Sequence, residues 1–166
     1  MRLIFCIFVF SFLFGCGFQL RGTAGLPAAL TPLYVESQTT FGTLLTQRVR
    51  SAQPTQIVEN SAQARLIVRI LAQQRQSRVI AVDRAGKALA YELSYHVRFA
   101  AHRATGEPVL DEQTLVASRS LDEDPEMAVL GKQLEQELIY QELLDELAER
   151  LLWRLQTIAE HNNEAT

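Results

Sequence analysis

Cysteine and histidine are scarce in this chain, and their scarcity limits the chemistry that it can perform. Of its 166 residues, two are cysteine and three are histidine. His96 and His102 are six residues apart in one predicted strand, a separation of roughly 20 Å, so they cannot share a metal ion. The chain also has no Gly-x-Ser-x-Gly nucleophile motif and no glycine-rich phosphate loop. We therefore predict that the protein is not an enzyme and binds no metal.

The chain also lacks an excess of basic residues and an apolar run long enough to cross a membrane. It has 16 Lys+Arg against 19 Asp+Glu, a net charge of -3. A nucleic-acid-binding module would need a basic footprint, so we expect no nucleic-acid partner. The apolar run at residues 3–14 spans twelve residues, whereas a transmembrane helix needs about 20. A short apolar run that follows a single positive residue, Arg2, is typical of a secretory leader.

The leader ends at Leu13-Phe14-Gly15-Cys16, which resembles the bacterial lipobox except that Phe14 stands where a small residue is usual. The resemblance implies a signal peptide at residues 1–15, cleavage before Cys16, and covalent diacylglycerol and N-acyl groups on Cys16. No other cofactor is expected. Gly17 favours the outer membrane, because many lipoproteins that stay in the inner membrane carry Asp at that position. The alternative is a signal anchor in which Cys16 is an incidental thiol.

Hydrophobic periodicity predicts a single α+β domain over residues 33–158, preceded by a tether at 16–32 and followed by a flexible tail at 159–166. The predicted elements, in order, are a strand at 33–36, a helix that begins at Thr39 or Thr40 and ends at Pro54, a strand at 64–82 that is continuous or bulged near 73–76, strands at 89–102 and 109–119, and a helix from Asp124 to Ile158. This order predicts a two-layer sandwich, with two helices packed on one face of a mostly antiparallel, mixed four-stranded sheet.

Two features of this fold bear on function. Asp124-Pro125-Glu126 is a helix start signal, and an apolar stripe on the last helix is predicted to lie against the sheet. The stripe consists of Leu130, Leu134, Leu138, Leu144, Ala148, Leu151, Leu155 and Ile158. If both helices pack on one face, the other face is left uncovered by this chain. That face either meets water or docks against another protein.

Three segments resemble the LptE (RlpB) family of lipopolysaccharide-assembly lipoproteins. They are CGFQLRG at residues 16–22, VDRAGKALAYEL at 82–93 and DEDPEMAVLGKQLEQEL at 122–138. The resemblance implies a non-enzymatic protein on the periplasmic side of the outer membrane, anchored there by its lipid. Such a protein would plug the large β-barrel LptD, assist its assembly, take part in lipopolysaccharide transport to the outer leaflet and bind lipopolysaccharide. The residues alone leave two alternatives, a periplasm-facing lipid carrier and a structural subunit of another envelope complex.

The family resemblance also points to candidate ligand-binding residues. Arg84 and Lys132 match positions at which the family carries basic residues, and Lys87 stands beside Arg84 in the turn DRAGK. Arg binds phosphate through a planar fork and Lys acts as a point charge, so all three are candidate contacts for lipopolysaccharide phosphates. The alternative is that these residues are solvated surface charges.

Overall fold

Four strands and two long helices make up the chain in the computed structural model, which describes residues 26–123 and 128–164. They follow one another as β1 (Leu33–Glu36), α1 (Thr40–Ala52), β2 (Leu66–Val82), β3 (Ala88–Arg103), β4 (Pro108–Asp122) and α2 (Val129–Glu164). This order confirms the predicted α+β class.

The strands form one mixed sheet in the order β1-β2-β3-β4. β1 runs parallel to β2, whereas β2, β3 and β4 form an antiparallel meander. Gly86 and Gly106 lie in the turns that join these three strands, with φ angles of 81° and 89°. This left-handed conformation disfavours residues with a side chain, so the two glycines allow the tight turns of the meander.

The long strand β2 contains a bulge near its middle. Ile70 pairs with Phe99 and Ala72 pairs with Arg98, which leaves Leu71 as an extra residue. The bulge therefore precedes the predicted position at residues 73–76. The helix-facing positions of β2 are even-numbered before the bulge and odd-numbered from Gln73 to Val79, because one extra residue reverses the alternation of side chains. The register shifts again between Val79 and Ala81.

This reversal turns two polar residues of β2 towards the helices, and each of them binds one helix. The Gln73 Oε1 atom accepts a hydrogen bond of 3.1 Å from the backbone N–H of Phe41 in the first turn of α1. The Arg75 guanidinium binds both carboxylate oxygens of Glu137 on α2, at 2.6 and 3.0 Å. The bulge thus supplies an anchor for each helix.

α1 begins where the sequence predicts and buries one apolar face. The hydroxyl of Thr39 accepts a hydrogen bond from the N–H of Gly42, which caps the helix. Phe41, Leu45 and Val49 are buried, and the helix ends at Ala52, just before Pro54. These three residues are four apart, so they share one helical face, and that face meets the sheet.

The prediction for α2 is only partly right. Its buried residues are Tyr140, Leu143, Leu144, Leu147, Ala148, Leu151, Leu155 and Ala159. Leu130, Leu134 and Leu138 were expected on the sheet, but they are 67%, 60% and 60% exposed. The start signal at 124–126 lies outside the described residues. The helix continues to Glu164, so residues 159–164, which were assigned to the tail, are helical.

A cluster around Arg75 holds α2 against the middle of the sheet. The Arg75 guanidinium carbon lies 4.9 Å from the ring centroid of Tyr140 and 5.7 Å from that of Tyr95. The Tyr140 hydroxyl donates to the backbone oxygen of Gln76 at 2.9 Å. The hydrogen bond from Arg75 lowers the pKa of Glu137, and burial raises the pKa of Tyr140.

We expect Leu147→Ala to lower the free energy of unfolding by about 2–5 kcal/mol, because the truncation leaves a cavity in a fully buried site. Leu134→Ala on the same helix is the matched control and should change it by less than about 0.5 kcal/mol, because Leu134 is exposed. Urea unfolding of both variants measures the difference. Equal destabilisation would show that α2 packs differently.

We expect the Arg75–Glu137 pair to stabilise the fold at neutral pH and not in acid. The pKa of Glu137 is lowered from its ordinary 4.5, so its contribution is present above that value and is lost as the pH falls through the folded-state pKa. Glu137→Gln should therefore lower the free energy of unfolding at pH 7 and lower it much less near pH 3. The decrease at pH 7 should be at most about 1 kcal/mol, because half-exposed ion pairs are screened by solvent.

Urea midpoints of wild type and Glu137→Gln at the two pH values test this. Glu142→Gln is the control, because Glu142 is exposed and forms no ion pair with another described residue. A difference between wild type and Glu137→Gln that is the same at both pH values would contradict the assignment.

Candidate functional site

The turn between β2 and β3 is a fixed structure that presents two basic side chains. The Asp83 Oδ1 atom accepts hydrogen bonds from the N–H groups of Ala85 and Lys87, at 2.8 and 2.9 Å. The backbone closes the turn with a bond of 2.9 Å from the Asp83 N–H to the Lys87 oxygen. Arg84 and Lys87 are both exposed. An ordered turn with two free side chains is a suitable contact for an anionic ligand.

Among the basic residues of the described chain, Arg84 and Lys87 differ from the rest in having no side-chain partner. Ten other Arg and Lys side chains of the described chain form ion pairs with carboxylates. Arg65 donates to a backbone oxygen and Arg154 to Gln113. Neither Arg84 nor Lys87 is hydrogen-bonded or ion-paired through its side chain to another described residue. These two cations therefore can meet an anion without first giving up a carboxylate.

Lys132, the third predicted cation, lies at the same end of the molecule but is already paired. Its ammonium binds the Glu123 carboxylate just after β4. The N–H of Glu123 donates to the oxygen of Leu89 at 2.8 Å, which fixes this pair beside the start of β3. Sequence reasoning missed Glu123, because nothing in the local pattern shows that residues 123 and 132 meet. An ammonium has three donors, so Lys132 could bind Glu123 and a phosphate together.

Exposed aliphatic side chains surround this end of the domain, and sequence reasoning did not predict their exposure. Val79 and Leu89 are 46% and 48% exposed, and the first turns of α2 add Leu130 and Leu134. A signal for the helix residues exists in the sequence. Leu130, Leu134 and Leu138 recur every four residues, in a different phase from the row that includes Tyr140, Leu143 and Leu147.

The sheet face opposite the helices is polar and has no cover from the described part of the chain. Three ion pairs cross it, Arg69–Glu36, Arg78–Glu92 and Arg98–Glu112. The Ser94 Oγ and His96 Nε2 atoms lie 3.2 Å apart on the same face. A broad polar surface of this kind suits hydrogen bonding to a wet protein surface.

Groups that could perform chemistry are not assembled in the described part of the chain. No group of three or more His, Cys, Asp or Glu residues there is placed to hold a metal ion. Within residues 26–123 and 128–164, no helix is long and apolar enough to cross a bilayer. Cys16, the predicted lipidation site, lies outside the described residues. The candidate site is therefore a binding surface made of the basic turn, its aliphatic surroundings and the open sheet face.

Comparison with known proteins connects this architecture to one family. The family model LptE, described as lipopolysaccharide-assembly, matches residues 30–155. The LPS-assembly lipoprotein LptE of Photorhabdus laumondii is 31% identical over 153 residues, covering 90% of this chain and 81% of that protein. The same protein from Pectobacterium atrosepticum is 29% identical over 148 residues, covering 87% of this chain and 78% of its own length.

Solved structures share the fold. The solution structure of a lipoprotein B from Nitrosomonas europaea has a TM-score of 0.72 at 22% identity, covering 90% of this chain and 96% of its own. The crystal structure of the rare lipoprotein B from Shewanella oneidensis has a TM-score of 0.64 at 21% identity, covering 80% of this chain and 98% of its own. Because the family model spans most of the described domain and sequence relatives match nearly the whole chain, this protein belongs to the LptE family of lipopolysaccharide-assembly proteins.

Proposed function

We propose that this chain is a non-enzymatic lipoprotein of the outer membrane that plugs an LptD-type β-barrel and assists its assembly for lipopolysaccharide transport to the outer leaflet. The observation that carries the proposal is the open polar face of the sheet, crossed by three exposed ion pairs. The interior of a large membrane barrel is polar and wet, so a polar sheet face can enter it without burying unpaired apolar surface. The family membership agrees with this role.

The proposed anchor at Cys16 explains how such a domain would stay near its barrel. Each acyl methylene in the bilayer contributes about 0.8 kcal/mol, so two or three chains on one residue hold almost permanently. A tether confines the domain to the periplasmic side of the membrane and raises its effective concentration at the barrel without any added contact. Residues 1–15 are then the cleaved signal peptide.

Lipopolysaccharide is the proposed ligand of the basic turn. Its phosphates match Arg84 and Lys87, which are exposed and have no partner among the described residues. Lys132 can join them if its ammonium shares its donors between Glu123 and a phosphate oxygen. Charge-assisted hydrogen bonds to phosphate are stronger than neutral ones, so a few such contacts give appreciable affinity.

Affinity purification from detergent-solubilised membranes tests the barrel and the anchor. We expect tagged wild type to be in the membrane fraction and to co-isolate with a large β-barrel protein. Cys16→Ala should leave the membrane fraction or remain unprocessed, because it cannot be acylated.

Each alternative gives a different result in this experiment. Isolation without a barrel but with bound lipid would support a periplasm-facing carrier, and isolation with another envelope complex would support a structural subunit. Unchanged fractionation of Cys16→Ala would contradict the lipid anchor.

We expect charge reversal at Arg84 and Lys132 together to weaken binding of the purified protein to lipopolysaccharide. The loss of one charge-assisted hydrogen bond, about 1.5 kcal/mol, corresponds to roughly tenfold in affinity. Isothermal titration of wild type, Arg84→Glu and the double variant measures the effect.

The single variant Arg84→Glu is informative because Arg84 has no ion pair to break, whereas Lys132→Glu also disrupts the pair with Glu123. Arg50→Glu is the control for a charge reversal that also breaks an ion pair, that of Arg50 with Glu59, and is therefore matched to Lys132→Glu. It reverses an exposed charge on α1, far from the turn in the fold. Equal affinity of all variants would remove the assignment of the basic turn.

A further inference from the structure

The first turns of α2 carry a row of aliphatic side chains that no described part of the chain covers. Leu130, Leu134 and Leu138 are 67%, 60% and 60% exposed. Residues four apart are neighbours on a helix surface, so the three leucines form a continuous ridge. Nine residues of helix give this row a length of about 12 Å.

The row lies beside the turn-proximal half of β2. Glu137 is two helical turns after Leu130, so the two residues lie on the same side of α2, and Glu137 binds Arg75 of β2. Val79 is four residues beyond Arg75 and lies on the same face of β2, opposite Tyr91. Together with the ridge of Leu130, Leu134 and Leu138, Val79 lines an apolar trough.

α1 does not reach this trough. Its first turn is fixed at the level of Gln73, where the Phe41 N–H meets the Gln73 side chain. Further along α1, Arg48 binds Asp145 and Glu149 near the middle of α2. α1 therefore lies beside the later turns of α2 and leaves the first turns and the end of β2 without a second helix.

The composition of the trough favours an acyl chain over a protein. Its four aliphatic lining residues, Val79, Leu130, Leu134 and Leu138, are all Val or Leu. Protein interfaces are enriched in aromatic residues, Met and Arg, which are absent from these four. The exposed aromatic residue of α2 is Trp153, sixteen residues beyond the Arg75–Glu137 pair and away from the turn. An unbranched hydrocarbon chain needs only a continuous aliphatic surface of this length.

The charges at the end of the trough indicate what kind of acyl chain would fit. The turn that follows β2 begins four residues beyond Val79 and carries Arg84 and Lys87, the cations without a partner in the described chain. An apolar trough that ends at unpaired cations is complementary to an anionic amphiphile. Its hydrocarbon would lie along the trough and its phosphate would meet the turn.

We propose that the trough binds an acyl chain of the lipid whose phosphates meet Arg84 and Lys87. The proposal rests on the proposed lipopolysaccharide binding and makes the same site bipartite, with an electrostatic part on the turn and a hydrophobic part on α2. The domain would thereby shield one acyl chain from water while it holds the headgroup, so it would distinguish an acylated ligand from a phosphorylated sugar.

Isothermal titration with two probes tests the bipartite site. One probe is intact lipopolysaccharide, and the other is lipopolysaccharide that has been chemically deacylated but keeps its phosphates. We expect wild type to bind the intact form about tenfold or more tightly than the deacylated form, because several methylenes leave water. The double variant Leu130→Gln, Leu134→Gln should lose most of that preference and keep the wild-type affinity for the deacylated form.

Trp153→Gln is the matched control, because it removes an exposed apolar side chain from the same helix away from the trough. It should retain the preference. The leucines are exposed, so the double variant should fold, and its urea midpoint checks this. Unchanged preference in the double variant, or an equal loss for both probes, would overturn the acyl site.

Other outcomes distinguish a failure of the acyl site from a failure of lipopolysaccharide binding. Wild type that binds both probes equally would overturn the acyl site and leave phosphate binding intact, whereas wild type that binds neither would refute lipopolysaccharide binding itself. A double variant that keeps its lipid preference but no longer co-isolates with the barrel would show that the leucines contact protein, which also overturns the proposal.

Discussion

The packing of one face of α2 on β3 and β4 is the interaction on which the rest of the structure depends. Leu143, Leu147, Leu151 and Leu155 are fully buried at this junction. On the sheet side they meet the continuous apolar face of β3. Because α2 runs back over the sheet from the end that carries the basic turn, this packing also fixes where its first turns lie. The position of Lys132 and the exposure of Leu134 follow from it.

The bulge at Leu71 couples the sheet to both helices. Without the extra residue, Gln73 and Arg75 would alternate to the open face, and neither could bind a helix. Because of the extra residue, Gln73 and Arg75 lie between the sheet and the helices, where each is hydrogen-bonded. No described buried side-chain nitrogen or oxygen lacks a hydrogen bond. β2 continues past the bulge into the long hairpin that ends in the basic turn.

The distribution of charge separates structural cations from available ones. Along the sheet and the helices, basic side chains are paired with carboxylates or hydrogen-bonded to oxygen atoms, so they add little net field at the surface. Arg84 and Lys87 are the exceptions in the described chain, and the turn that carries them is held by Asp83 and not by either cation. Their side chains can therefore bind a ligand at no cost to the fold, which is a property of an interaction site.

The sequence by itself determined the elements and their order. Alternation over β3, the Thr39 cap and the residues around Gly86 are local signals, because they depend on backbone geometry within a few residues. Only the tertiary structure decided which apolar row of α2 meets the sheet, where β2 bulges, and that the Glu123 carboxylate pairs with the Lys132 ammonium. Each of these depends on contacts between segments far apart in the chain, and periodicity within one segment carries no record of what lies opposite it.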